Sequence, residues 1–417
     1  MKSAIGGSLP AGSRHPVAMY PRKLGPVKFA TAVVFVLIVS LPRSVDAASQ
    51  SSWPGAVHDQ TRTGQADVLG PVASNPTVRW TRRLEGVVTP GPALLADGTV
   101  LAASNGGVLH ALDPSTGKDR WRFDGRGSYG NDLSTTPAVL PDGRILWPGP
   151  NSRLFVLSSK GKLLQQVQFD QFVLSPAVTN DGRVAYVQDS GGSLRAYDIA
   201  AKLTQRWSIA VGTSYSSPAI SPDGTIVTAS SRDVISIRDE KVSARINWKY
   251  NVPDIIEVSP AIAPDGAIVI GTNDDFEYAL NSDGTRRWKY NRNSMSYSSA
   301  AVTADGRAVF GDHRGRMTTV DVKTGEELAV AQGEPTPSKS RSVGVWTSPA
   351  IDAVGNVYFG TRLGHVYGFT KAGVRLWDID THDTVDSYPA LGPDGTLYIG
   401  SSNGLLYAIA GRGSTTG

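Results

Sequence analysis

From residue 78 onward the chain alternates short apolar runs with turn residues, and residues 216–251 show the pattern in full. Pro218-Ala219-Ile220 leads into Ser221-Pro222-Asp223-Gly224, followed by TIVTAS (225–230), a turn at Ser231 to Asp233, VISIRD (234–239) and INWKYN (246–251). Short β-branched and aromatic runs bounded by Asp, Gly, Ser and Pro predict strands. Asp-Gly between two such runs predicts a hairpin, because glycine takes a positive φ without steric cost.

The pattern recurs. A Pro-Ala pair precedes an Asp-Gly or similar turn at Pro92, Pro137, Pro176, Pro218, Pro260, Pro349 and Pro389, with Ala300 in the equivalent place of the sixth copy. The turn glycines are Gly98, Gly143, Gly182, Gly224, Gly266, Gly306, Gly355 and Gly395, spaced by 45, 39, 42, 42, 40, 49 and 40 residues. A fixed period of this length signals a repeat architecture. Four short strands per copy cannot bury both faces alone, so the copies stack, and radial closure satisfies all of them. The predicted fold is all-β: an eight-bladed β-propeller of four-stranded antiparallel blades over residues 78–410.

The tryptophans predict how the ring closes. Trp121, Trp207, Trp248, Trp288 and Trp377 end the last strand of their copies, whereas the eighth copy stops at Ala410 without one. Trp80, in VRWTRRL, precedes the first copy and completes the eighth blade if the N-terminal strand returns to it, which removes an exposed seam. A fixed place on each outer strand marks these tryptophans as wedges against the neighbouring blade. Copies two and six carry Gln165 and Ala329 near that place.

The segment Ala111-Leu-Asp113-Pro-Ser-Thr116-Gly117-Lys-Asp-Arg-Trp121 resembles the tryptophan-docking motif of pyrroloquinoline-quinone-type (PQQ-like) propeller repeats. Trp53 to Gly64 (WPGAVHDQTRTG) is similar to the lead-in found before such propellers. The resemblance covers residues 78–410. It implies one of two branches, the quinoprotein dehydrogenases or non-catalytic propellers such as the outer-membrane-assembly lipoprotein. Most of the enzymes use a vicinal disulfide against the quinone, and the lipoprotein is anchored through a cysteine. This chain has no cysteine.

Composition narrows the classes further. Without cysteine, thiolate metal sites, cysteine nucleophiles and lipid-bearing cysteines are excluded. The net charge of +4 comes from the N-terminus: residues 1–47 hold six basic residues against Asp46, and the remainder carries −1, so charge gives no case for nucleic acid. Lys28, the apolar run Phe29 to Leu41 and Val45-Asp46-Ala47 read as a signal peptide over 1–47, cleaved after Ala47, with Met1 or Met19 as the start. As a helix the run would rise only about 20 Å, short of a membrane core, so membrane attachment enters only if the signal is uncleaved. Residues 48–77 are then an extended lead-in and 411–417 a tail.

Two familiar motifs dissolve in the repeat. Gly125 to Gly130 matches G-x-G-x-x-G but has strands on both sides and no helix, and Gly400 to Gly404 aligns with the turns Gly360 to Gly364 and Gly311 to Gly315. The six histidines form no metal-ligand spacing, and Asn273-Asp274-Asp275 reads as a solvated turn. One constellation stands out. Three residues before the Pro-Ala position, successive blades place Thr89, Ser134, Val173, Tyr215, Glu257, Tyr297, Trp346 and Asp386. If the first strand of each blade lines the axis, as the resemblance implies, Tyr215, Glu257, Tyr297, Trp346 and Asp386 share one arc suited to a sugar, a peptide or a cation. The longest insertions, around 126–132 and 333–342, lead into the same face.

The resulting expectation is a secreted or extracytoplasmic, monomeric, non-catalytic scaffold in the cell envelope or outside the cell. It has no metal and no cofactor, and binds a protein, peptide or cell-envelope carbohydrate. Two alternatives use the same residues: a quinoprotein oxidoreductase holding PQQ and calcium near Trp346 and Glu257, and a glycan-binding or glycan-active protein with Glu257 and Asp386 as paired carboxylates.

Overall fold

The computed structural model describes residues 53–72, 75–128, 135–334 and 344–411. The signal-peptide reading of 1–47, Ser134 and most of both long insertions lie outside the described residues.

The strands assemble into eight four-stranded antiparallel sheets. Seven use four consecutive strands, and the eighth takes its outer strand, Thr77–Arg83, from the N-terminal side to pair with Leu405–Ala410. The structure is an eight-bladed β-propeller. Each inner strand is two residues long, such as Ala93–Leu94 and Ala390–Leu391, and the core lies between adjacent blades, where Val, Ile, Leu and aromatic side chains of one sheet pack on the next.

The register explains the tryptophans. Each faces a small residue on the third strand: Ala408 opposite Trp80, Ala111 opposite Trp121, Ala196 opposite Trp207, Ser236 opposite Trp248, Ala279 opposite Trp288 and Gly368 opposite Trp377. The small partner lets the indole lie across its own sheet and reach outward. Trp80 donates its Nε1–H to Pro114 O at 2.9 Å, Trp121 to Ser159 O at 2.9 Å, Trp248 to Ser282 O at 2.9 Å and Trp288 to Val322 O at 2.7 Å, each in the following blade. Trp207 donates to the Asp239 carboxylate at 2.8 Å, while Trp377 reaches Pro71 O, where the lead-in passes between blades seven and eight. In blade two, Gln165 makes a comparable bridge with its amide, donating to Leu203 O at 3.1 Å and accepting from Leu203 N at 2.7 Å.

The lead-in, expected to be extended, is a wound and largely buried plug over its described part. Its carbonyls accept from the axis-facing amides of six inner strands: Trp53 O from Leu94, Pro54 O from Val139, Gln60 O from Ile220, Thr61 O from Ile262, Thr63 O from Val302 and Gly64 O from Ile351. The chain thus circles the axis past blades one, two, four, five, six and seven, then leaves through Ala66 and Val68, which meet Ile351 and Ala353. Val57, His58 and Arg62 hold positive φ (54°, 78° and 58°) to make the turn. Gly64 has φ 64°, and a Cβ there would lie 2.6 Å from Ala301 Cβ, so the tight passage requires glycine.

Asp59 fixes the winding. Its Oδ1 accepts from Thr61 N (3.0 Å), Thr61 Oγ1 (2.8 Å) and Thr63 N (3.1 Å), and its Oδ2 from Thr63 Oγ1 (2.7 Å), with His58 Nδ1 at 3.2 Å. Burial alone raises the Asp59 pKa, but bonds from His58 and Thr63 outweigh it and hold the carboxyl below the usual carboxylate range.

Candidate functional site

The face opposite the plug is built by a repeated main-chain bond. Two residues beyond the end of the second strand in blades one, five, six, seven and eight, a turn amide donates to the loop leading into the blade: Asn105 N to Val87 O (3.0 Å), Asn273 N to Ile255 O (3.0 Å), His313 N to Met295 O (3.1 Å), Arg362 N to Gly344 O (3.0 Å) and Ser402 N to Thr384 O (2.8 Å). This bond sets the turn residue beside the residue three before the Pro-Ala position. Thr89 therefore meets Asn105 at 3.3 Å, Glu257 meets Asn273 Nδ2 at 2.7 Å, Tyr297 packs on His313 with ring centroids 5.0 Å apart, and Arg362 Cζ lies 3.9 Å from the centroid of Trp346.

The five expected residues divide into two groups. Tyr297, Trp346 and Asp386 come together: the Tyr297 and Trp346 rings meet edge to face at 4.4 Å, and His313 stacks on Trp346 at 5.6 Å. Arg362 links the aromatic pair to the eighth blade through Asp386, Nε to Oδ1 at 3.3 Å. Tyr215 and Glu257 are not part of this cluster. They line a separate cavity of about 40 Å³ on the axis, together with Ser217, Ser259, Tyr388 and Arg62 of the plug.

Arg362 and His313 were missed from sequence, although their signal was present. They occupy the same position in the aligned turns Gly360 to Gly364 and Gly311 to Gly315. Asn273 occupies it in blade five and holds Glu257, so it is more than a solvated turn residue.

The mouth cluster contains unsatisfied polar groups. Trp346 Nε1, Arg362 Nε and Asp386 Oδ1 are buried without a hydrogen-bond partner among the described residues, and the geometry between Arg362 and Asp386 is that of an ion pair alone. Leaving such groups unpaired costs roughly 1–3 kcal/mol each, more when charged. Burial pushes the Asp386 pKa up to about 6 against the opposing charge of Arg362. A folded pKa above the unfolded value gives stability that is complete below about pH 4 and is lost as pH rises through about 6. Asp386→Asn is expected to flatten that slope, on the order of 2 kcal/mol, in denaturation midpoints measured from pH 4 to 7.

With this geometry established, comparison with known proteins is informative. A family model described as outer membrane protein assembly factor BamB matches residues 70–133, 125–245 and 204–415. The chain belongs to this family. Its fold is shared with BamB from Moraxella catarrhalis, at TM-score 0.64 and 15% identity over 81% of this chain and 100% of that one. Quinohemoprotein alcohol dehydrogenase from Comamonas testosteroni matches at TM-score 0.68 and 13% identity, over 88% of this chain and 82% of that one. A second such dehydrogenase, from Pseudomonas putida, gives 0.67 and 11%, over 88% and 81%. No curated protein sequence matches the chain. The family and both structural classes share the propeller, so within this fold the activity has to be argued from the mouth and the axis.

Proposed function

We propose that the chain is an exported, non-catalytic propeller of the BamB family that presents its unplugged face as a binding surface for a protein or peptide. The observation that carries this reading is the cluster of Tyr297, His313, Trp346, Arg362 and Asp386, in which a buried indole N–H has no hydrogen-bond partner among the described residues and Arg362 and Asp386 meet as an ion pair without hydrogen-bond geometry. Aromatic and arginine side chains beside unsatisfied polar atoms are the composition of a binding hot spot. Export is supported by the apolar run at Phe29 to Leu41 and by a family whose description places it in outer membrane assembly.

The quinoprotein alternative finds a poor fit. The axial cavity beside Glu257, of about 40 Å³, is far below the roughly 300–1,000 Å³ of pockets that hold larger ligands, the cleft of about 420 Å³ lies instead between the lead-in and blades one to three, away from Trp346 and Glu257, and among the described residues no three acidic or imidazole side chains converge as a calcium site would require. The glycan-hydrolase alternative needs carboxylates about 5–9.5 Å apart across one bond. Glu257 is instead tied to Asn273 in blade five and Asp386 to Arg362 at blades seven and eight.

The test is affinity capture and cross-linking from the envelope fraction, comparing wild type with Tyr297→Ala/Trp346→Ala/Arg362→Ala. Loss of a specific partner by at least about tenfold, with the melting midpoint preserved, is expected. Equal capture by both proteins, or a new quinone absorbance on adding PQQ and Ca²⁺, contradicts the reading.

A further inference from the structure

The axial cavity contains a buried cation that makes no direct ion pair with a carboxylate among the described residues. Arg62 is 3% exposed, and among the described residues its guanidinium bonds to main-chain carbonyls alone: Nε to Pro218 O at 3.0 Å, Nη1 to Ala56 O at 3.1 Å and Nη2 to Ser175 O at 3.5 Å. A guanidinium has five N–H donors, so two remain. Burial pushes its pKa down to about 10, opposed by Tyr388 and Asp59, and it stays charged at neutral pH.

Hydroxyls from blades three to six share the cavity with this charge. Ser175, Ser217, Ser259 and Ser299 line the same cavity. Three of them are already acceptors: Ser175 Oγ takes Thr136 N at 2.9 Å, Ser259 Oγ takes Ser217 N at 3.0 Å and Ser299 Oγ takes Ser259 N at 2.9 Å. With its acceptor side engaged by a main-chain amide, each of these hydroxyls keeps its O–H to donate. The wall is rich in donors around a fixed positive charge, and Glu257, held by Asn273 at 2.7 Å, is the carboxylate among its lining residues.

We propose that this cavity binds a carboxylate group, belonging either to a small free acid or to a peptide C-terminus, which enters from the mouth past Tyr215 and is held by Arg62 and the serine hydroxyls. The volume of about 40 Å³ corresponds to about three waters at 10–15 Å³ each, the size of a carboxylate head group. Tyr215 is 55% exposed and lines the same cavity, so it connects the site to solvent. Charge-assisted bonds from a guanidinium and hydroxyls to a carboxylate are shorter and stronger than neutral ones. The site is separate from the Tyr297–Trp346–Arg362 cluster and does not depend on its role.

The test measures acetate and Ala-Ala-Ala binding to the full chain by calorimetry and melting midpoint, against sodium chloride at matched ionic strength and against the C-terminally amidated tripeptide. Saturable stabilisation by acetate or by the free tripeptide, and none by the amide, supports the site, and the stronger of the two identifies the source of the carboxylate. Ser259→Ala and Ser299→Ala are expected to weaken binding about tenfold while remaining folded, and Arg62→Gln to abolish it. Acetate and free tripeptide that act no differently from chloride, or binding unchanged in both serine variants, overturn the proposal whether or not Arg62→Gln folds.

Discussion

Replacing Trp80 with alanine is expected to lower the unfolding free energy by about 3–5 kcal/mol, the range for a buried tryptophan truncated to alanine. Trp80 is 9% exposed, bonds to Pro114 O in blade one and packs at a tilt against Tyr398 with centroids 5.7 Å apart. It therefore ties the N-terminal strand both to blade eight and to the next blade. The loss differs in kind from that at Trp121, whose strand is continuous with its own blade: failure at Trp80 frees the strand that closes the ring. Urea denaturation followed by intrinsic fluorescence measures it, and an unfolding free energy within about 1 kcal/mol of wild type contradicts the closure.

The second large effect is expected at the buried pair Glu277–Arg292, 0% and 1% exposed, joined at 2.9 Å. Arg292 also donates to Thr272 O at 2.6 Å and Phe276 O at 2.8 Å, so it clamps the turn that carries Asn273 and, through it, Glu257. Gly271 makes room: a Cβ there would lie 2.9 Å from both Arg292 Nη1 and Glu277 Oε2. Burial pushes the Glu277 carboxyl up and the Arg292 guanidinium down, and each charge opposes the other's shift. Glu277→Ala leaves an uncompensated buried cation and is expected to cost about 3–5 kcal/mol, whereas Glu277→Leu/Arg292→Met, which replaces both charges by apolar groups, recovers most of that loss. A double variant no more stable than the single one refutes this assignment.

The fold was legible because its signals are local and repeated. A positive φ at each turn glycine, a Pro-Ala pair at the start of seven of the eight inner strands and a tryptophan opposite a small residue all leave marks at fixed spacing, and even the displaced outer strand was traceable through Trp80. The plug was not legible in the same way. Its bonds to Leu94, Val139, Ile220, Ile262, Val302 and Ile351 are main chain to main chain and constrain few side-chain identities. Asp59, Thr63 and Gly64 are exceptions, and within a single unrepeated segment nothing marks them as the turns of a plug. At the site, reading one residue per blade found Tyr297, Trp346 and Asp386 but grouped Tyr215 and Glu257 with them. The missing half is the turn residue two positions beyond the second strand. Arg362, His313 and Asn273 share that position, but their chemistry differs from blade to blade, so no periodic signal draws attention to it.

The same omission hid the serines. Thr136, Ser175, Ser217, Ser259, Ser299 and Ser348 all precede the Pro-Ala position, and the hydroxyls of Ser175, Ser259, Ser299 and Ser348 link blade to blade, for example Ser299 N to Ser348 Oγ at 3.1 Å. Read as part of the strand lead-in, they look like backbone devices. In the assembled ring they surround the axis.

The account rests on the N-terminal segment winding across one end of the axis and bonding to six of the eight inner strands, with a cleft of about 420 Å³ left between it and blades one to three. Site-resolved amide hydrogen exchange tests this most directly. Leu94, Val139, Ile220, Ile262, Val302 and Ile351 are expected to exchange only through global unfolding, and Val178, whose amide meets no lead-in carbonyl among the described residues, orders of magnitude faster. Fast exchange at all seven would mean that the segment does not plug the ring.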